Sequence, residues 1–172
     1  YVSWKLEDVL LKEAQDDAVR LVIADQEEAG LQILTDGEQR RRHYITGFLD
    51  GLDGIDRSRL VKITTRGGRY GQNLVEAERV VGPVRRRGSV MLDAVRFLRK
   101  HTSNPIKVTL PGPMTTTDTL ADEYYGSRVK LASALAQQLN DEALELAEAG
   151  ADIVQFDEPC FNIYLDEVEE WG

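Results

Sequence analysis

The stretch EAGADIVQFDEPCF, residues 148–161, decides the fold. An Ala-Gly pair stops a helix there, because a residue without Cβ takes the left-handed conformation at a helix end. An apolar run then enters a core through Ile153, Val154 and Phe156, and two carboxylates, Asp157 and Glu158, close it directly before Pro159. Proline has no backbone donor and a fixed φ, so the strand ends at that point. An earlier stretch, EAGLQIL at residues 28–34, repeats the device and finishes in TDGEQRRR. Two copies of helix, stop, strand and acidic end predict successive αβ units of a parallel sheet.

Working outward, apolar residues at Val9, Leu10, Ala14, Ala18, Leu21, Val22 and Ala29 predict a long amphipathic helix over Leu6 to Ala29. A second is predicted from about Arg128 to Ala149, with Val129, Leu131, Leu135, Leu139, Leu144 and Leu146 on its apolar side. Between the two copies lie a helix around VMLDAVRFLRKH and a buried strand, IKVTLPGP, ending in a Pro-Gly-Pro turn. Thr115 to Thr117 with Asp118 read as the start of a helix. Residues 60–90 break the rhythm, and alternation around Gly67-Gly68 in LVKITTRGGRYG predicts a β-hairpin insertion. The fold class is therefore α/β, and the expected architecture is a partial (β/α)8 barrel with that insertion. A complete barrel takes about 250 residues, so the 172 residues form one partial barrel domain, with the rest expected outside this chain.

Thirty acidic against twenty-one basic residues give a formal charge of -9, which weighs against a nucleic-acid surface. No apolar run is long enough to span a membrane, and the amino end lacks a signal-peptide pattern, so a cytoplasmic setting is expected. One cysteine and two histidines exclude a disulfide framework and a common Cys/His zinc site within the chain.

In parallel α/β architectures the carboxyl ends of the strands carry the ligand site. Glu38 and Asp157 occupy that position in the two copies, where a carboxylate holds a cation such as an α-ammonium group. Acids after strands also cap the following helix, and both readings stand on these residues alone. Asp36 and Glu158 are assigned to capping or to orienting their neighbours. Arg40 to Arg42, Arg79 and Arg85 to Arg87 form clusters suited to a carboxylate or phosphate, although most such residues belong to a solvated helix face. His43, His101 and Cys160 read as structural, and no catalytic dyad is named.

TDGEQRRR, KVTLPGPMT and AGADIVQFDEPCF, in this order and spacing, resemble the cobalamin-independent methionine synthase family. The likeness covers the amino-terminal half of its catalytic barrel, from about residue 6 to 164, and is strongest to short single-barrel members with loops like LPGP and EYYG. It implies a (β/α)8 barrel that transfers a methyl group to the zinc-bound thiol of homocysteine, forming methionine. By the same resemblance Glu38 and Asp157 bind the amino acid part of homocysteine, and Arg79 and Val80 stand where folate-using members contact methyltetrahydrofolate.

Some positions depart from the pattern. Thr119 stands where folate-using members have tryptophan, and Ile163 replaces an acidic residue, so the implied methyl donor is methyltetrahydrofolate or a methylated corrinoid. Cys160 occupies a position where a small residue is usual and is not taken as a metal ligand. The family's zinc ligands belong to the second half of the barrel, outside this chain, as does its acid histidine. Its early strand with a Gly-Ser substrate loop is reduced here to YVSW. Alone, the chain is expected to be inactive. The rival readings are zinc-dependent alkyl transfer to another thiol, and a non-catalytic half-barrel that binds a partner chain and self-associates when isolated.

Overall fold

The computed structural model describes residues 4–68 and 74–172. Its helices are α1 (Asp8–Glu28), α2 (Thr46–Leu49), α3 (Leu92–His101), α4 (Pro113–Asp118), α5 (Arg128–Glu148) and α6 (Leu165–Trp171). Its strands are β1 (Leu52–Thr64), β2 (Leu74–Arg86), β3 (Lys107–Pro111), β4 (Ala121–Asp122) and β5 (Ile153–Asp157). The fold is α/β with mixed sheets. The chain divides into two compact units, one of Tyr1–Asp50, Ser89–Leu110 and Glu142–Gln155, the other of Gly51–Gly88, Pro111–Asp141 and Phe156–Gly172.

In the first unit both Ala-Gly stops behave as read, with Gly30 at φ 75° and Gly150 at φ 103°. The expected strand LQILT contracts to a single parallel bridge, Leu34 to Ile106, made by Leu34 N–H to Pro105 O (2.9 Å) and Lys107 N–H to Leu34 O (2.8 Å). The amides of Asp152 and Ile153 both donate to Ile106 O at 3.1 Å, which sets the start of β5 beside the start of β3. Leu34, Ile106 and Ile153 thus follow one another across the sheet in chain order. The stripe expected on α1 is not its buried face: Val9, Leu10 and Leu21 are exposed, while Val19 and Ile23 are buried. Glu142 of α5 is fully buried, and its Oε1 accepts Ser89 Oγ (2.8 Å), Val90 N–H (3.1 Å) and Met91 N–H (3.0 Å), which tethers the segment entering α3.

In the second unit β1 and β2 form an antiparallel ribbon, Leu52 opposite Arg86 and Thr64 opposite Leu74, with β4 added parallel to β2 through Arg79–Ala121 and Val80–Asp122. The ribbon begins at Leu52 rather than near residue 60. Residues 69–71 of the stretch read as a hairpin lie outside the described residues. Gly54 sits at the first bulge at φ 84°, where a Cβ would run into the carbonyls of Gly82 and Pro83. Arg79, Arg85 and Arg86 lie on β2, not on a helix face. Met114, Cys160 and Ile163 make a small apolar core, covered by Tyr164, Val168 and Trp171. Contrary to the reading of a helix start at the threonines, α4 begins at Pro113 and ends at Asp118. Thr116 and Thr117 donate their hydroxyls back to the carbonyls of Gly112 and Pro113, both at 2.8 Å.

Candidate functional site

The first unit supplies the Glu38 loop. Gln26 of α1 reaches Thr35 in both senses, donating to its carbonyl (2.9 Å) and accepting from its amide (3.0 Å), so a side chain completes the pairing that the shortened strand lacks. The turn then closes on itself: Thr35 Oγ1 accepts from Gly37 N–H (3.1 Å) and Asp36 Oδ1 from Glu38 N–H (3.0 Å). Gly37 and Glu38 are both left-handed, at φ 62° and 56°. A Cβ at Gly37 would lie 2.7 Å from Val22 Cγ1, so the loop also rests on α1. A non-glycine residue in that conformation is strained, a feature that clusters at ligand sites. The Glu38 side chain is about half exposed, with Arg41 Nη1 3.5 Å from its Oε1. Asp36 is buried, and its Oδ2 has no hydrogen-bond partner among the described residues.

Beyond Glu38, His43 Nδ1 accepts the amides of Ile45 (3.1 Å) and Thr46 (3.4 Å), capping α2. Burial lowers the imidazole pKa, against a smaller upward pull from Glu38, so the ring stays neutral and keeps this acceptor.

The second unit supplies the Asp157 loop. Asp157 ends β5, and its carbonyl accepts Gly112 N–H at 2.8 Å. Glu158 is a cap, though not of the helix that follows it: its carboxylate accepts Met114 N–H and Thr115 N–H, both at 2.7 Å, and the Thr115 hydroxyl, at the amino end of the earlier α4. Gly112 is required there, since a Cβ would lie 2.8 Å from that of Glu158 and overlap its carboxylate. Both oxygens of Glu158 are therefore engaged.

Arg79 and Val80 lie in the second unit on β2. The Arg79 guanidinium pairs with Asp56 and with Glu123 Oε2 (2.7 Å) and donates to Arg59 O (3.1 Å). Hydrogen bonds from Ser58, with the Arg79 pairing, hold the Asp56 carboxyl down to about 2. Val80 has no exposed surface, and its carbonyl accepts Glu123 N–H at 3.0 Å. The arginines read as anion grips are in large part neutralised: Arg40 pairs with Asp16, Arg41 with Glu38 and Arg87 with Asp53.

Among the described residues, no group of three or more His, Cys, Asp or Glu is placed to hold a metal ion. Cys160 is buried, which pushes its thiol up to about 11 despite its contact with Thr115, so at neutral pH it is a thiol rather than a thiolate. The described residues by themselves do not fit a zinc site. No helix among the described residues is long and apolar enough to cross a membrane.

Sequence reading passed over Gln26, Glu123, Glu142 and Tyr164. Of these, only Glu142 had a visible signal, since it falls at helical pitch between Leu139 and Leu146.

The methionine synthase of Sulfurisphaera tokodaii is 36% identical over 167 residues, 96% of this chain and 47% of that protein. The 2-hydroxypropyl-CoM lyase of Xanthobacter autotrophicus is 32% identical over 168 residues, 96% of this chain and 43% of that protein. A solved B12-independent methionine synthase from Shewanella sp. W3-18-1, in complex with selenomethionine, matches with TM-score 0.90 and 49% identity, covering 99% of this chain and 49% of that one. The chain spans about half the length of the curated relatives it matches. The catalytic-domain model of cobalamin-independent synthase matches residues 3–171, and the chain belongs to that family.

Proposed function

We propose that this chain is the amino-terminal half of a methionine synthase-type methyltransferase, one partial (β/α)8 barrel domain with the β1–β2 ribbon inserted. The remaining strands and the zinc ligands lie in sequence outside it. In the complete protein a methyl group passes to the sulfur of homocysteine: the donor–methyl bond breaks, the S–CH3 bond forms and the thiol proton leaves. Glu38 and Asp157 hold the ammonium group of homocysteine and so orient its sulfur. Arg79 and Val80 belong to the methyl-donor side, Arg79 as a fixed cation and Val80 through its packing. The donor is methyltetrahydrofolate or a methylated corrinoid. The setting is cytoplasmic, and the chain alone is inactive.

The observation that carries this reading is family membership joined to 49% identity with a methionine synthase in complex with selenomethionine, an analogue of the reaction product. Glu158 is committed to the α4 cap and is not assigned to the ligand. In a protein extended to the relatives' full length, Glu38→Ala and Asp157→Asn should each weaken homocysteine binding at least about tenfold, about 1.4 kcal/mol, by calorimetry. Wild-type affinity in folded variants would remove both residues from the site.

A second reading keeps the fold and changes the thiol. Its support is the 32% identity to a 2-hydroxypropyl-CoM lyase. Saturable binding of coenzyme M with no binding of homocysteine would favour it. A third, a non-catalytic half-barrel that self-associates, draws on Ile153 and Phe156 of β5, 37% and 45% exposed. A monomer by size exclusion would count against it.

A further inference from the structure

We propose that Asp118 is a positioning residue: a buried latch that fixes the turn of the β1–β2 ribbon at the far end of the short helix whose near end is held beside Asp157. Asp118 is the last residue of α4 and is 6% exposed. A carboxylate there faces the negative end of the helix dipole, so α4 itself gives no reason for it. Its partners do. Oδ2 accepts the backbone amide of Arg66 at 2.8 Å, and Oδ1 accepts the Tyr164 hydroxyl at 2.5 Å, with Arg128 Nη1 at 3.4 Å.

Three separate stretches therefore converge on one carboxylate: the ribbon turn, the start of α5 and the residue before α6. The described start of that turn, Arg66–Gly68, is strained at Arg66, a non-glycine residue held left-handed at φ 56°. A Cβ on Gly67 would lie 3.2 Å from Tyr164 Cε1, so the turn lies directly on that ring. The Arg128 guanidinium sits over the same ring at 4.9 Å and pairs through Nε with Glu167 at 3.2 Å. Burial, with the bond to Asp118, raises the Tyr164 phenol, which keeps its proton as the donor in the cluster. At the other end of α4, Glu158 binds the first amides. The helix is pinned at both ends and relays the position of the Asp157 loop to the ribbon that carries Arg79.

That relay rests on the reading of Asp157 and Arg79 given above, whereas the latch is tested without any substrate. Hydrogen exchange of the Arg66 amide is measured in wild type, Asp118→Ala, Asp118→Asn and Tyr164→Phe, with the Leu131 amide of α5 as reference, alongside ultraviolet titration of tyrosinate. The expected result is Arg66 exchange at least about tenfold faster in Asp118→Ala and a smaller rise in Tyr164→Phe, with Leu131 unchanged. The tyrosine that ionises last in wild type should be absent from Tyr164→Phe and ionise at lower pH in Asp118→Asn. Should Asp118→Ala fail to fold, the isosteric Asp118→Asn carries the test. Wild-type Arg66 exchange together with an unmoved Tyr164 titration in that variant would overturn the proposal.

Discussion

The loops at Glu38 and Asp157 grow from the same sequence device and are built in opposite ways. After Gly30 the strand shrinks to one bridge, and the acidic turn is tied by side chains two residues away, Thr35 to Gly37 and Asp36 to Glu38. After Gly150 the strand runs five residues, and Glu158 reaches amides 43 and 44 residues earlier in the chain. The first acidic end is local and carries its own strain; the second is long-range and pins another helix. Acids after a strand thus serve different tasks according to which unsatisfied amides lie within reach.

That contrast predicts a large difference in cost. Glu158→Ala removes charge-assisted bonds from two part-buried amides and should destabilise the chain by about 3 kcal/mol in urea unfolding. Gly112→Ala should approach that loss, because the added methyl displaces the same carboxylate. Asp36→Ala loses one local turn bond and should cost about 1 kcal/mol. Equal losses at Asp36 and Glu158 would break the distinction between local and long-range construction.

Smaller effects sharpen it. Glu38→Gly relieves the left-handed strain and should raise stability by about 0.5–1 kcal/mol while weakening homocysteine binding, the mark of a residue kept for a ligand. A stability loss there would mean that the Glu38 side chain is mainly structural. The weakest effect concerns pH. His43 has a folded pKa below its ordinary value, so between the two values the unfolded chain binds the extra proton. Its contribution is complete above about pH 6.5 and is lost as pH falls through that value toward the folded one. His43→Asn, which caps α2 without titrating, should flatten the change in urea midpoint between about pH 7.5 and about pH 5.5.

Much of the chain was legible in advance. Both long helices, their glycine stops, β3 and β5 follow from short-range rules acting on adjacent residues. The failures share a cause. Val9, Leu10 and Leu21 of α1 and Phe156 of β5 are apolar but exposed, since apolar spacing registers a preference for burial, and exposure depends on which element lies against it. The helix start assigned to Thr115 moved to Pro113 because the amides are capped by Glu158, which no local pattern reveals. That Arg79 is paired with Asp56 and Glu123 is likewise written in no local pattern.

The sequence by itself determined the two long helices, α3, β3 and β5 in their order, the acidic ends of two αβ units and membership in the cobalamin-independent synthase family. It could do so because helix stops, strand runs and motif spacing are written in neighbouring residues. Only the tertiary structure decided which acids are already engaged. It gave Glu158 to α4, Glu142 to the segment before α3 and Asp118 to the ribbon turn, joining residues 43 to 53 apart in sequence. A carboxylate's role follows from the donors that surround it, and those donors come together only when the chain has folded.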